Sequence, residues 1–334
     1  MAYEDLIKKI FRLYPFLLIN LFLIFVLVHF LYSTFSPIFI GEKKIFYVNP
    51  KTKTWFLSQN LEKQGIIRSS FYFRFLAALR KSKIKAGIYE FNGFYNLIDV
   101  LKTLETGGRG IRITITEGLT LKEIEALFQK NGFKVDFTKY KLSDFPKIDL
   151  KNYFPEQSSL EGFLAPDTYE FFPNDDEKMI VEKILQNFSK KYLNEILKGT
   201  EFNLYERLTL ASIVEKEAKS QEDFPIIAGI LIKRLKNNKK LEVDATLVYA
   251  KCDFVFCNPS LTRQDFIKDS PYNTYKRFGL PPTPISNPGI LAIKSVNNPI
   301  VTDYWYYLSD SGGRAIFAKT LKEHQENIKK YLKK

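Results

Sequence analysis

Histidine and cysteine are scarce in this 334-residue chain, which holds two of each: His29 and His324, Cys252 and Cys257. A structural zinc site needs about four clustered ligands, and an open catalytic one about three. Neither can be assembled from these residues, so no metal is expected. The cysteines share one short stretch, "CDFVFC". They can close a small disulfide loop in an oxidising compartment or stay as two buried thiols. Arg-rich blocks, RNA-recognition signatures and helix-turn-helix signatures are missing too, so nucleic acid is not expected as a partner. No lysine stands in a recognisable pyridoxal-phosphate motif, and no cofactor is expected. The chain has no internal repeat and no long low-complexity stretch.

Hydrophobic residues make up 45% of the chain. That supports a sizeable core and, at this length, about two domains. The formal net charge of +13 fits anionic lipid or an acidic polymer. One long apolar run, "PFLLINLFLIFVLVHFLY", is interrupted only by Asn20 and His29. Its length approaches the roughly 20 residues that cross a bilayer. Lys8, Lys9 and Arg12 precede it, and the segment after it delays its charges. The positive-inside rule then places residues 1–14 in the cytoplasm, a membrane anchor at 15–35 and the rest outside. The run ends in bulky residues with no A-x-A pattern, so an uncleaved anchor is expected rather than a signal peptide.

Beyond the anchor the pattern predicts an α+β protein. Residues 43–107 read as a small α/β unit. "KIFYVNP" reads as a strand, helices follow from about Thr54 and after a serine cap, "KAGIYEF" is a second strand, and "NLIDVLKTLETGG" is a helix stopped by glycines. This β-α-α-β order resembles a LysM-like glycan-binding module. "TGGRG" is a linker to a larger α+β unit, 111–334. There Ile111, Ile113 and Ile115 alternate as in a half-buried strand. Thr120 with Glu123, Asn203 with Glu206, and Thr320 with Glu323 form capping-box patterns ahead of helices. A long helix is predicted over 177–198, another over "FPIIAGILIKRLKNN", and a hairpin around the Ser-Asp-Ser-Gly-Gly turn at 309–313.

"LASIVEKEAKS" carries two glutamates one residue apart. On a helical wheel with Leu210 at the origin, Ile213, Val214 and Ala218 form an apolar stripe. Glu217 falls at about −20°, inside it, while Glu215 falls at about 140°, at its edge. Lys216 and Ser212 lie on the opposite side. The glutamates therefore do not form a paired site on one bond. A carboxyl among apolar neighbours is costly to ionise, and its raised pKa suits a general acid near neutral pH. Two loops supply context. "SPYNTYKRFGLPPTPISNPG" is too rich in proline and glycine for regular structure. It presents Tyr272, Asn273, Thr274 and Tyr275, whose aromatic faces, amide and hydroxyls suit sugar rings. "SLEGFLAPDTYEF" repeats this style and contains Glu161.

These stretches, with "ITEGLTLKEI", "AGILIKRL", "LEVDATLVYA" and "LKEHQENIKKYL", run from about residue 45 to the C-terminus. Together they resemble the endolytic murein transglycosylase (MltG or YceG-like) family. The sequence departs from the family at Ala245, where proline usually follows the aspartate, and at "CDFVFC". The resemblance implies a lyase, anchored in the inner membrane with its catalytic domain periplasmic. It would cut the MurNAc–GlcNAc bond of nascent peptidoglycan strands internally and leave 1,6-anhydro ends without hydrolysis. The family's catalytic glutamate falls on Glu217. Glu161, Tyr272, Asn273 and Thr274 become candidate substrate-binding residues, and Glu117 a weaker second carboxylate. Cell-wall synthases become candidate partners. The competing expectation is a membrane-anchored peptidoglycan-binding or scaffold protein without catalysis.

Overall fold

A computed structural model describes residues 2–49, 52–150, 152–172, 175–257, 259–310 and 312–332, with side chains from residue 14 onward. The side chains of Lys8, Lys9 and Arg12 lie outside the described residues. So do Pro50, Ser311 of the predicted hairpin turn, and the last two lysines of the predicted final helix. The chain divides into two compact units, one of residues 1–111 with 171–175, the other of residues 112–170 with 176–334.

The first unit begins with α1 (Ala2–Phe35), a single helix of 34 residues. Its segment Tyr14–Phe35 is long and apolar enough to cross a membrane. Strand β1 (Ile38–Val48), helices α2 (Thr54–Lys63) and α3 (Ser70–Leu79), strand β2 (Gly87–Tyr95) and helix α4 (Leu97–Thr106) follow. β1 and β2 pair antiparallel from Ile38↔Tyr95 to Val48↔Gly87, with a bulge between Ile40 and Lys44. The caps are local. The Ser69 side chain accepts from the Tyr72 N–H, and Asn96 forms a capping box with Asp99. Phe46, Leu57, Leu61, Phe73, Phe91 and Leu101 meet in one core beneath the hairpin.

The second unit takes in all but the first residue of β3 (Ile111–Ile115), α5 (Leu121–Lys130) and all but the last residue of β4 (Asp167–Phe171), where β3 and β4 form a two-stranded sheet. The predicted long helix over 177–198 is α6 (Glu177–Phe188), a π turn over Ser189–Leu193, and α7 (Asn194–Lys198). Helix α8 (Leu204–Glu217) then runs through the middle of the unit. Against it pack α9 (Asp223–Lys236), α10 (Asp244–Lys251) and α12 (Ile290–Asn297), while the short α11 (Arg263–Ile267) packs on α10. Last come the hairpin β5 (Tyr306–Ser309) with β6 (Ala315–Ala318), and α13 (Leu321–Tyr331). The Thr120–Glu123, Asn203–Glu206 and Thr320–Glu323 capping boxes are all present. Cys252 and Cys257 are joined in a disulfide.

The wheel treats α8 as amphipathic and extends it past Glu217. Both points need correction. Every residue from Arg207 to Val214 is buried, because α7, α9, α10 and α12 all pack against this helix. Ser212, placed opposite the apolar stripe, is fully buried, and its hydroxyl donates to the Thr209 carbonyl at 2.6 Å. Helix α8 also ends at Glu217, since Ala218 has extended backbone angles. A helix enclosed by neighbours on all sides has no single buried stripe for a wheel to find.

Candidate active site

Glu217 closes the last turn of α8, where the chain leaves the helix. Its carboxyl accepts hydrogen bonds from the Tyr307 hydroxyl and the backbone N–H of Ala245. Burial pushes its pKa up to about 7; the nearby Asp244 charge adds to the rise, and the two hydrogen bonds oppose it. Asp244 opens α10 and is exposed, and the Tyr275 hydroxyl donates to its Oδ1 at 2.6 Å. Burial and these carboxylates push the Tyr307 and Tyr275 hydroxyls above their ordinary range, so both remain protonated donors. Glu217, Asp244, Tyr275 and Tyr307 thus form one cluster from α8, α10, a loop and β5.

The buried Arg234 of α9 holds this cluster together from behind. Its guanidinium donates to the Trp305 carbonyl at 2.9 Å and the Lys240 carbonyl at 2.8 Å, and it pairs with Glu242. One side chain therefore pins both the start of the C-terminal hairpin, which carries Tyr307, and the turn before Asp244.

Glu161 lies in a different environment. It is buried, and its carboxylate accepts from the Leu121 N–H at 3.1 Å, the Asn287 amide at 3.1 Å and the Tyr249 hydroxyl at 2.9 Å. It thereby satisfies the first N–H of α5. Burial pushes its pKa up to about 8. Asn287 in turn donates to the Leu119 carbonyl and accepts from the Leu164 N–H. The stretches around "ITEG", "LEGF" and "ISNPG" therefore knot together through two side chains. Gly162 is required at this knot: with φ +90°, a Cβ there would meet the Pro284 ring at 2.7 Å.

Glu215 takes a third place. It accepts from the Gly289 N–H at 2.9 Å, and its pKa is raised by burial and by Glu117 nearby. Glu117 is exposed. Lys216 donates to the Gly118 carbonyl at 3.0 Å and sits over the Phe256 ring at 3.6 Å. Glu215 and Glu217 are thus turned to different partners, as the roughly 160° between them on the helix requires.

The loop 270–289 connects two of these places. Tyr272 packs its ring against Tyr249 at 5.3 Å and shares a hydrogen bond with Thr283 at 2.9 Å, on the Glu161 side. Tyr275 reaches Asp244, on the Glu217 side. Asn273 and Thr274, between them, are buried. The Asn273 amide donates to the carbonyls of Asp265, Phe266 and Lys268, and its oxygen accepts from Tyr275 and Lys276. Thr274 accepts from the Val243 N–H at 3.0 Å. Both side chains are committed to holding the loop in place, Asn273 against α11 and the residue after it, and Thr274 against the residue before α10. Sequence reasoning did not single out Asp244, Tyr307 and Arg234. The signal for Asp244 is its place in "LEVDATLVYA"; Tyr307 and Arg234 stand in ordinary strand and helix patterns.

A model of the YceG-like family matches residues 46–330. An endolytic murein transglycosylase of Bacillus subtilis (strain 168) is 34% identical over 298 residues, which cover 81% of this chain and 80% of that protein. An endolytic murein transglycosylase of Streptococcus pneumoniae is 30% identical over 311 residues, 83% of this chain but 56% of that protein. This chain therefore spans about half the length of the pneumococcal relative. A crystal structure of a yceG-like protein from Listeria monocytogenes matches with a TM-score of 0.54 at 29% identity. The match covers 86% of this chain and 99% of that one.

Proposed function

Because this chain belongs to the YceG-like family, we propose that it is a peptidoglycan lyase, an endolytic transglycosylase that cuts glycan strands without water. The observation that carries this reading is Glu217: a carboxyl with a proton affinity near neutrality, beside an exposed second carboxylate and two hydroxyl donors. Ordinary glycosidases use one carboxyl as acid and another as nucleophile or base. Here the attacking group is the 6-hydroxyl of the MurNAc residue itself. An intramolecular attack gains from proximity and needs no activated water. Glu217 protonates the leaving glycosidic oxygen, the ring passes through an oxocarbenium-like state, and the same carboxylate removes the proton from the 6-hydroxyl. Asp244 provides negative charge for that state. Tyr307 orients Glu217, and Asn273 and Thr274 act on the substrate through the loop they hold. Tyr272 borders the sugar path, and Glu161 supports it from beneath.

In this reading the domains are an anchor at 15–35, a LysM-like glycan-binding module at 43–107 and a catalytic domain at 111–334. The N-terminus is cytoplasmic, the catalytic domain periplasmic, and α1 anchors the chain in the inner membrane, where cell-wall synthases are the expected partners. The test is digestion of purified glycan strands with wild type and Glu217→Gln in parallel, with the new ends weighed by mass spectrometry. Ends lighter than the hydrolytic product by one water are expected from wild type and none from the variant. Plain reducing ends would make the protein a hydrolase, and strand binding without any product would make it a scaffold.

A further inference from the structure

Helix α3 buries Phe73 and Ala77 in the core of the first unit. Its opposite face consists of Phe71, Phe75, Ala78 and Leu79, at the i, i+4, i+7, i+8 spacing of a helical stripe. Phe71 is 63% exposed, Phe75 51% and Leu79 68%. A ten-residue helix that offers such a face to water is unusual, because a polar outer face is the ordinary pattern.

The same helix touches α1 inside the apolar segment. Phe30 packs edge-on against Tyr72 at 5.2 Å and against Phe75 at 6.4 Å. His29 shares a hydrogen bond with the Tyr72 hydroxyl at 3.1 Å. The junction is fixed again just beyond the helix end, where Arg68 donates to the carbonyls of Ser36 and Pro37 and lies over the Tyr32 ring. The apolar segment ends at Phe35. At 1.5 Å per residue, Phe30 lies about 7 Å short of that end. A residue in contact with Phe30 stands at the depth of Phe30.

We infer that α3 is a second membrane-contacting element, lying in the outer-leaflet interface with Phe71, Phe75 and Leu79 turned into the acyl region, so that the first unit is seated on the bilayer. This rests on the reading that α1 spans the membrane. The partner is a lipid surface, and the flanking sequence fits one with anionic headgroups. Arg80, Lys81, Lys83 and Lys85 follow the helix at once, and all four are exposed. Basic residues beside an apolar helical face are the composition of interfacial helices. An α1 used only as a tether would leave the unit free to swing; α3 fixes its tilt and distance from the membrane.

The test uses the full chain in phosphatidylglycerol–phosphatidylcholine liposomes whose lipids carry bromine at a fixed acyl depth. In a Trp55→Phe, Trp305→Phe background, single tryptophans replace Phe30, Phe75 or Tyr47. We expect F30W and F75W to be quenched alike, and Y47W, near the far end of β1, to stay bright. Quenching of F30W with a bright F75W overturns the inference and leaves the anchor standing. If neither is quenched, the anchor reading fails as well. A bright F75W whose emission shifts on adding glycan strands would instead assign the face to sugar. A carbene-generating lipid gives a check on the unmutated chain: labelling of peptide 70–79 is expected, and its absence, with α1 labelled, counts against the proposal.

Discussion

Glu217 and Glu161 are both carboxyls whose proton affinity burial has raised, to about 7 and about 8. By that measure Glu161 is the more perturbed. Yet it is enclosed by three donors from its own chain, one of them a helix N-terminus, and its neighbours lead on to Asn287 and the loop knot. Glu217 has two donors and stands next to an exposed aspartate. A perturbed carboxyl marks a functional site only when something outside the protein can reach it. The difference between these two glutamates is one of access and spare hydrogen-bonding capacity, and it can be broken experimentally.

The largest effect should come from Glu217→Gln. Strand cleavage should fall by about 10²–10⁴-fold, the usual range for removing a general acid–base. Thermal stability should hold or rise, because a neutral amide replaces a carboxyl that burial disfavours when ionised. Melting curves beside product assays check both. Glu161→Ala should give the opposite pattern. It strands the Leu121 N–H, the Asn287 amide and the Tyr249 hydroxyl, and should cost about 2–4 kcal/mol in chemical denaturation. Remaining folded protein should retain the anhydro product. A Glu161→Ala protein that is fully stable but inactive would reverse the assignment of the two residues.

The pH profile separates them next. Both pKa values are raised above the unfolded value near 4.5, so the native state holds protons that the unfolded chain has released. Stability is therefore greatest below about pH 4.5 with respect to these groups and declines as pH rises towards about 8. Glu161→Gln should flatten the upper part of that decline, read from denaturation midpoints across pH. On the proposed mechanism, activity should follow Glu217. As the acid it must be protonated, so kcat/KM should fall above about pH 7 in wild type, and Glu161→Gln should leave that limb in place.

The sequence reveals the ends of the elements better than their surroundings. Three capping boxes and the Ser69 cap are chemistry between residues three apart, and they stand where the pattern puts them, as does the glycine stop at Gly107. The opposed directions of Glu215 and Glu217 also follow from helical periodicity alone. What stayed hidden depends on distant packing. The burial of Ser212 is set by four other helices, and its hydroxyl accepts from the Ile285 N–H, 73 positions away. Tyr307 is one tyrosine among several in "YWYYL" until Arg234 fixes the hairpin beside α8. Asn273 reads as a sugar-binding amide by composition. Its five hydrogen bonds, three to the carbonyls of Asp265, Phe266 and Lys268 and two within the loop, are invisible in the order of residues.

Tyr307→Phe should produce the smallest effect and the sharpest one. Removing its hydroxyl deletes a hydrogen bond that lowers the Glu217 pKa, while burial and Asp244 continue to raise it. The basic limb of kcat/KM should move to higher pH, by about half a unit to one unit, the size of one neutral hydrogen bond of roughly 1 kcal/mol. Maximal activity should drop by about tenfold or less, because the variant misaligns the acid without removing it. Tyr249→Phe is the matched change beside Glu161, since it deletes the corresponding hydroxyl. It should lower stability by about 1 kcal/mol or more and leave the basic limb where it is. If both tyrosine variants shift the limb equally, the two carboxyls titrate as one coupled site, and the separation between them fails.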